Sequence, residues 1–313
     1  MVGIHLPMKL EFDNVNCNLC GSFDSEPFLL REDLNTFIEG KFQLVRCLHC
    51  GLVYENPRPS LRSWELIYPN QYDQYTQQSN EEFQKNYWYR FGFQKRLKAI
   101  ERFKNGGTLC DLGCATGDFL REVEFHNNWK GYGVEPNEFA SNLARKAGLN
   151  VETGTFGDNP FPGLNFDVIS MWNVIEHLPD PTETLLEVNK RLNPGGILVF
   201  TTPNLESFDA RFFGRFWIGY ELPRHFYVFS KTTLLQYLQK TNFTYIEDHC
   251  IYGEHAAAMS SIRFWIKAKH PEYNKGLERV LFSLPLRILL SPIFYITDKM
   301  KKSSPITIIA QKR

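Results

Sequence analysis

The sequence predicts an α/β fold, with a mostly parallel sheet covered by helices on both faces and a small cysteine-rich unit in front of it. Two observations predict this. From residue 108 onward, short and nearly continuous apolar segments alternate with helical segments, a pattern typical of parallel strands buried on both faces. Before that point, four of the seven cysteines form two C-x-x-C pairs within residues 17–50.

The elements follow in chain order. Short strands and turns are expected around the cysteine pairs over 11–60, then a tyrosine-rich linker arm over 61–76 and a helix over 81–103. The alternating region predicts strands at 108–112, 132–134, 150–153, 166–172 and 197–202, with helices at about 117–127, 136–147 and 181–192. A helix over 231–240 and strands over 243–251 and 305–310 complete the pattern.

The cysteine pairs predict a structural zinc site. Two C-x-x-C pairs separated by 26 residues can supply four thiolates to a tetrahedral ion, and a closed shell leaves no position for a reacting water. Gly21 and Gly51 follow the two pairs and suit tight knuckle turns. His49 is expected to be an exposed knuckle residue. The predicted ligands are Cys17, Cys20, Cys47 and Cys50.

Charge and cysteine usage restrict the partners and the compartment. With 35 basic and 35 acidic residues the net charge is zero, which is unlike a nucleic-acid-binding protein. Residues 204–313 carry 16 basic and 9 acidic residues, which indicates a solvated basic face or contact with an anionic substrate or membrane. An odd number of cysteines and no apparent secretory signal favour the reducing cytoplasm.

An apolar segment at 280–297 has two interpretations. Pro285, Arg287 and Pro292 interrupt it, so a membrane-spanning helix is not expected. It is predicted either to form two helices packed on the sheet, or to lie at a membrane interface, helped by the basic residues among Lys299–Lys302. We therefore expect any membrane contact to be peripheral and to involve residues 280–302.

A glycine-containing turn after the first buried strand predicts a cofactor site. Residues 109–118 read L-C-D-L-G-C-A-T-G-D. Gly113 and Gly117 in this run allow a ligand to approach the backbone closely near Asp111. Glu135 ends the second strand, where a carboxylate can accept hydrogen bonds from ribose hydroxyls. A nicotinamide dehydrogenase remains an alternative, although the third glycine of its motif is not at the expected spacing.

Four segments together resemble the class I S-adenosylmethionine-dependent methyltransferases: D-L-G-C-A-T-G, G-V-E-P, F-D-V-I-S-M-W-N-V-I-E-H-L-P-D-P and L-N-P-G-G-I-L-V-F-T-T-P-N. They look most like the branch with an N-terminal cysteine ribbon, which includes sugar, polysaccharide and natural-product methyltransferases. The resemblance implies a Rossmann-like, seven-stranded, mostly parallel sheet with an antiparallel last strand. Ribbon-bearing sugar C-methyltransferases are longer at the C-terminus, so we expect transfer to oxygen or nitrogen.

The resemblance also implies the domains and the cofactor contacts. We expect a zinc ribbon over 1–60, a linker arm and helix over 61–104, and a methyltransferase domain over 105–313, with an acceptor-cap segment at 204–230 and a helical insert at 254–303. The expected contacts with S-adenosylmethionine are Asp111, Gly113 and Gly117 for its amino-acid part, Glu135 for the ribose, Pro136 and Phe156 for the adenine, and Trp172 and Asn173 for the methionine part.

Two histidines are candidates for the base that removes a proton from the acceptor. His177 follows the fourth strand and His225 lies in the cap segment, each with a structural role as the alternative. Glu221 is the third predicted catalytic residue, and Arg224 is expected to bind an acceptor phosphate or carboxylate.

These features predict methyl transfer to a hydroxyl or amine of a small molecule or glycan. A zinc-ribbon RNA methyltransferase and a non-catalytic module that binds S-adenosylmethionine are the alternatives. The acidic ribbon, with 6 basic and 10 acidic residues over 1–75, makes nucleic acid an unexpected partner.

Overall fold

A computed structural model describes residues 10–35, 38–68, 80–270 and 275–313. Residues 69–76, which are half of the expected linker arm, therefore lie outside the described residues. The strands are β1 Phe12–Asp13, β2 Ser25–Arg31, β3 Phe42–Cys47, β4 Val53–Glu55, β5 Arg58–Pro59, β6 Gly107–Leu112, β7 Trp129–Glu135, β8 Val151–Thr153, β9 Phe166–Trp172, β10 Leu192–Pro203, β11 Tyr227–Val228, β12 Phe243–His249 and β13 Pro305–Lys312.

The α-helices are α1 Trp64–Ile67, α2 Asn80–Lys85, α3 Tyr87–Glu101, α4 Asp118–Glu124, α5 Glu138–Lys146, α6 Pro181–Arg191, α7 Phe208–Phe213, α8 Lys231–Lys240, α9 Glu254–Lys269, α10 Lys275–Leu281 and α11 Leu284–Lys299. Short 3-10 turns occur at Leu61–Ser63, Phe156–Asp158, Ile175–His177, Gly214–Phe216 and Ile218–Tyr220.

A seven-stranded sheet forms the centre of the molecule, in the order β12-β13-β10-β9-β6-β7-β8. The pairs among β10, β9, β6, β7 and β8 are parallel, whereas β13 is antiparallel to both of its neighbours. Along β9, Ile169 and Met171 pack in one core and Val168 and Trp172 in the other, because successive strand residues point to opposite faces. The expected fold with an antiparallel last strand is confirmed.

Two element boundaries differ from the expectation. The helix expected over 81–103 is two helices, because Asn86 interrupts it and caps α3 by accepting from the backbone N–H of Tyr89. Strand β10 starts at Leu192 instead of residue 197. Leu192 already pairs with Phe166, and a bulge containing the Asn-Pro-Gly-Gly run separates it from the next pair, Ile197 with Val168.

The cysteine-rich unit is joined to the large domain by a shared sheet. Strands β2, β3 and β4 form an antiparallel sheet whose fourth strand is β11, from the predicted cap segment. Tyr227 and Val228 pair with Tyr54 and Val53. The backbone N–H of Glu55 donates to the carbonyl of Phe226 at 2.8 Å. The ribbon and the cap therefore hold each other in place.

The apolar segment after β12 forms a helical layer outside the sheet. Leu286, Leu290 and Phe294 of α11 pack against Ala258 and Met259 of α9, so the expectation that this segment packs on the sheet is wrong. Pro285 occupies the first turn of α11 and Pro292 lies inside it, so Pro292 does not end a helix as expected. Among the described residues, no helix is long and apolar enough to cross a membrane.

Candidate functional site

Four cysteine sulfurs lie together at the tips of two matched turns. The Sγ atoms of Cys17 and Cys50 are 3.3 Å apart, and those of Cys20 and Cys47 are 3.4 Å apart. All four lie within 4.8 Å of one another. Tetrahedral zinc with Zn–S bonds of about 2.3 Å requires sulfurs roughly 3.8 Å apart, so the donor set fits zinc.

The two turns have the same backbone conformation and the same hydrogen bonds. Gly21 and Gly51 have φ angles of 79° and 78°, a region that favours glycine. Each glycine N–H donates to the carbonyl of the first cysteine of its pair, at 2.7 and 3.0 Å. His49 is exposed and lies beside Asp24, with 3.0 Å between Nε2 and Oδ2, which agrees with a knuckle residue that is not a ligand.

A cavity of about 580 Å³ opens at the carboxyl ends of β6, β9 and β10. This is the edge where doubly wound sheets bind ligands, and the volume is within the range of small-molecule sites, roughly 300–1,000 Å³. Its lining comes from the turn after β6, the ends of β9 and β10, helices α3 and α9, and the cap segment.

The turn after β6 forms one end of this cavity. Gly113, Ala115 and Gly117 all have positive φ, of 67°, 47° and 83°, so the chain reverses sharply before α4. A Cβ on Gly113 would lie 2.6 Å from Cγ2 of Val174, so only glycine fits there. The Asp111 carboxylate accepts from the Ser170 hydroxyl at 2.6 Å, and burial raises its pKa to about 7.

Glu135 supports the same turn. Its two carboxylate oxygens accept from the backbone N–H groups of Ala115 and Asn137, both at 2.9 Å. Burial raises the pKa of Glu135, and these two hydrogen bonds partly oppose that rise. Each oxygen keeps a second lone pair, but Glu135 is buried and is not among the described residues that line the cavity, so its contact with a ribose stays a prediction.

A cation among aromatic rings forms the neighbouring wall. The Arg96 guanidinium carbon lies 3.8 Å from the ring centroid of Tyr252 and 5.1 Å from that of Trp172. Asn173, with φ of 59°, donates from Nδ2 to the Tyr252 hydroxyl at 3.2 Å. Arg96 therefore places a positive charge in the cavity that also contains the Asp111 carboxyl.

Two histidines of the cavity lining lie in contact, with ring centroids 4.6 Å apart. Nδ1 of His225 lies 2.9 Å from the Gly219 carbonyl, and Nδ1 of His177 lies 2.9 Å from the Arg224 carbonyl. A carbonyl only accepts, so each Nδ1 carries the proton and each neutral ring has its basic lone pair on Nε2. Burial lowers the pKa of both rings, so both are neutral near pH 7.

Carboxyl groups surround the histidine pair. Oε2 of Glu221 lies 3.5 Å from Nε2 of His225. Glu176 is fully buried, and neither of its oxygens makes a hydrogen bond of ordinary geometry. Burial raises the pKa of Glu176 to about 8, which a nearby Thr202 hydroxyl only partly offsets. Glu176, His177 and His225 offer ligand atoms within 4.8 Å of one another, which suits either a shared proton or a small divalent cation.

Arg224 does not face the cavity, so its expected role in binding an acceptor anion is wrong. It is buried, and it pairs with Asp33 at 2.9 Å and with Glu221 at 3.2 Å. A buried guanidinium needs such partners to offset its loss of hydration. Arg224 therefore links the ribbon side of the molecule to the carboxylate beside His225.

Comparison with known proteins identifies the family. A family model described as a methyltransferase domain matches residues 81–248, which is more than half of the chain and includes the turn after β6 and the histidine pair. The chain is an S-adenosylmethionine-dependent methyltransferase of class I. This agrees with the resemblance seen in the sequence, although the family model does not include the ribbon.

Individual relatives of this methyltransferase act on different kinds of atoms. A 24-methylenesterol C-methyltransferase 2 of Oryza sativa is 32% identical over 114 residues, which are 34% of this chain and 31% of that protein. A ubiquinone biosynthesis O-methyltransferase of Cereibacter sphaeroides is 29% identical over 184 residues, which are 56% of this chain and 70% of that protein. The chain thus spans about a third of the length of the sterol enzyme.

A solved structure shares the fold. Phosphoethanolamine N-methyltransferase 2 of Haemonchus contortus, in complex with S-adenosyl-L-methionine, superposes with a TM-score of 0.51 at 16% identity, covering 92% of this chain and 68% of that one. The names of these three relatives include carbon, oxygen and nitrogen acceptors, so the family alone does not identify the acceptor of this methyltransferase.

The methyltransferase cavity brings together most of the predicted site residues. Those that line it are Asp111, Gly113, Trp172, Asn173, His177, Glu221 and His225. In the described part of the chain, its lining does not include Gly117, Glu135, Pro136 or Phe156. Pro136 is exposed and Phe156 is buried in the core, so their adenine contacts stay predictions.

Several residues of the cavity lining were not foreseen, and three of them have charged or polar side chains that bear on the site. Arg96 and Tyr252 come from helix α3 and from the segment before α9, which the motifs do not include. Glu176 precedes His177 directly within the E-H-L-P-D-P segment. An acidic neighbour of a candidate base was a signal that could have identified it.

Proposed function

We propose that this methyltransferase transfers the methyl group of S-adenosylmethionine to a hydroxyl or amine of a small molecule or glycan, with His225 as the proton acceptor. One observation carries the proposal: His225, a buried histidine whose Nδ1 is held by the Gly219 carbonyl, lines the same cavity as the glycine turn and Asp111. The sulfonium of the cofactor supplies an activated methyl group, so the protein has to orient two molecules and remove one proton.

The cofactor end of the cavity suits an amino-acid group. Asp111 and Arg96 line the same cavity. The ionised Asp111 carboxylate and the Arg96 guanidinium have opposite charges, which complement an ammonium and a carboxylate on one ligand. Gly113 allows a close approach to the backbone, and Glu135 has lone pairs available for ribose hydroxyls. Trp172 and Asn173, at the end of β9, line the same cavity.

The acceptor end suits deprotonation of a hydroxyl or ammonium group. Nδ1 of His225 is held by the Gly219 carbonyl, which fixes the ring and directs Nε2 for proton uptake. The imidazolium formed would be stabilised by the Glu221 carboxylate at 3.5 Å. We assign His177 a positioning role, because its Nδ1 is also 2.7 Å from the Tyr68 hydroxyl and its ring packs against His225.

The experiment is an acceptor screen that measures release of S-adenosylhomocysteine. Hydroxyl- and amine-bearing sugars and small molecules are compared with bulk RNA, and methylation of RNA alone would refute the proposal. With an active acceptor, His225→Ala should reduce kcat by roughly 10²- to 10⁴-fold and leave cofactor affinity unchanged. His126→Ala, which removes a partly exposed histidine, is the matched control. A fully active His225→Ala enzyme would exclude His225 as the base.

The proposal includes structural zinc at Cys17, Cys20, Cys47 and Cys50. The sulfur separations and the two matched turns support it, and the site would belong to a ribbon over residues 1–60. We also propose a cytoplasmic location, because two C-x-x-C pairs suit a metal site in a reducing compartment better than a disulfide framework.

A further inference from the structure

Helix α11 has two apolar stripes, and only one of them is covered. Leu286, Leu290 and Phe294 pack against α9. On the other side Ile288, Leu289, Ile293, Ile296 and Met300 are exposed, with Leu289 at 72% and Ile288 at 62%. The positions 289, 293, 296 and 300 repeat at helical spacing.

The exposed stripe continues onto the neighbouring helix. Val280 and Phe282, at the end of α10 and just after it, are exposed at 58% and 41%, and Tyr295 of α11 is exposed at 64%. No residue of α11 is buried. Single exposed apolar side chains are ordinary, but a contiguous group on one helical layer marks a binding surface.

The charges around the stripe indicate what binds there. Residues 275–302 contain six basic residues and two acidic ones. Both acidic side chains are engaged within the molecule: Glu278 pairs with Arg263 at 2.9 Å, and Asp298 accepts from the backbone N–H of Cys250 at 2.7 Å. Among the basic residues, Lys301 is likewise engaged, with Asp248 at 3.7 Å. The other five basic residues still outnumber the acidic ones, so the surface is apolar with a cationic rim, which complements an anionic lipid surface. In a symmetric dimer through the same stripe, the basic groups would face each other and repel.

The layer lies one helix away from the active-site cavity. Ala256, Ala257 and Ser260 of α9 line the cavity, whereas Ala258 and Met259 of the same helix pack on α11. A bilayer in contact with the exposed side of α11 would thus be separated from the cavity only by α11 and α9.

We propose that α10 and α11 form an interfacial membrane-binding surface, defined by Val280, Phe282, Ile288, Leu289, Ile293, Tyr295, Ile296 and Met300, which docks the enzyme on an anionic bilayer. The second part of the inference rests on the proposed function: the acceptor is an amphipathic molecule carried in or on that bilayer. The helices lie in the interface and do not span it, in agreement with their length and with Pro292.

The experiment measures co-sedimentation of the full chain with vesicles. Phosphatidylcholine vesicles containing phosphatidylglycerol should bind the enzyme, and binding should weaken with added salt and on pure phosphatidylcholine. The variant Leu289→Glu/Ile293→Glu should lose at least about tenfold in vesicle affinity, since two apolar side chains are replaced by anions. Phe23→Glu/Leu30→Glu, which makes the same change at exposed positions of the ribbon, should bind normally.

Cofactor affinity serves as the folding check for each variant. If Leu289→Glu/Ile293→Glu does not fold, Arg287→Glu/Lys299→Glu tests the cationic rim, and its binding to anionic vesicles should fall to the level seen on neutral ones. No binding of the unmodified enzyme to anionic vesicles at low salt would overturn the proposal. A dimer in sedimentation velocity that Leu289→Glu/Ile293→Glu converts to a monomer would assign the stripe to a second copy instead.

Vesicle binding needs no turnover, so this test is separate from that of the methyl-transfer proposal. Vesicle binding together with methylation only of water-soluble acceptors would overturn the inference about the acceptor and leave the docking surface intact.

Discussion

Protonation of Asp111 should control cofactor affinity near neutral pH. Burial raises the pKa of its carboxyl to about 7 in the ligand-free protein, so the group is largely protonated at pH 6. A cationic ammonium on the ligand favours the ionised carboxylate. Binding should therefore release a proton, and affinity should fall as the pH is lowered through 7.

The size of this effect follows from the pKa. With a pKa of about 7, roughly 9% of the carboxyl is ionised at pH 6 and roughly 76% at pH 7.5. If only the ionised form binds the ammonium, the dissociation constant at pH 6 is about eightfold larger than at pH 7.5, which corresponds to about 1.2 kcal/mol.

Isothermal titration calorimetry with S-adenosylmethionine, in buffers of different ionisation enthalpy, measures both the affinity and the number of protons released. Asp111→Asn should bind more weakly and lose most of the pH dependence. Ser170→Ala removes the 2.6 Å hydrogen bond to the carboxylate, so its profile should shift to higher pH. A flat affinity between pH 6 and 7.5, or an unchanged slope in Asp111→Asn, would refute the reasoning.

Two further changes test the glycine turn and the cysteine cluster. Gly113→Ala should weaken cofactor binding and lower the free energy of unfolding by about 1–3 kcal/mol, since it combines a positive φ with a Cβ 2.6 Å from Val174. Gly148 also has a positive φ, but nothing lies within 4 Å of an added Cβ. Gly148→Ala should therefore lower the free energy of unfolding less than Gly113→Ala and leave cofactor affinity unchanged. If calorimetry shows equal losses of stability in the two variants, the clash with Val174 is not the cause. Cys20→Ser should reduce the zinc content in elemental analysis and lower Tm, whereas Cys250→Ser should not; full-length protein that is free of metal yet equally stable would contradict the zinc site.

Much of the sheet was predictable because its signal is local. Each buried strand is a short apolar run, and the ends of a run such as Phe166–Trp172 coincide with the ends of the strand. The extended β10 was not predictable, because the pairing of Leu192 with Phe166 across a bulge depends on the neighbouring strand. The same holds for α2 and α3, where a single capping residue, Asn86, divides one helical pattern.

Site residues that belong to sequence motifs were predictable. Site residues that are brought together only by tertiary packing were not. His177 and His225 were both candidates, but their contact depends on the cap folding back over β9, 48 positions along the chain. Arg96 reaches the cavity because α3 packs on α4, and its stacking on Tyr252 joins segments far apart in sequence. The exposure of α11 could not be predicted from the sequence either, since buried and interfacial helices share an apolar composition.

The ribbon supports the acceptor end of the cavity and not the cofactor end. Strand β4 pairs with β11, two residues after His225, and Asp33 of the N-terminal unit pairs with Arg224, which in turn holds Glu221 beside the histidine. The turn after β6 receives its support from Glu135 and Val174, within the large domain. Loss of metal from the cysteine cluster should therefore slow methyl transfer, through displacement of the cap, while cofactor binding is largely retained. In the proposed mechanism, a metal-binding unit placed in this way would act by positioning the proposed base, His225, although its sulfurs would take no part in the reaction.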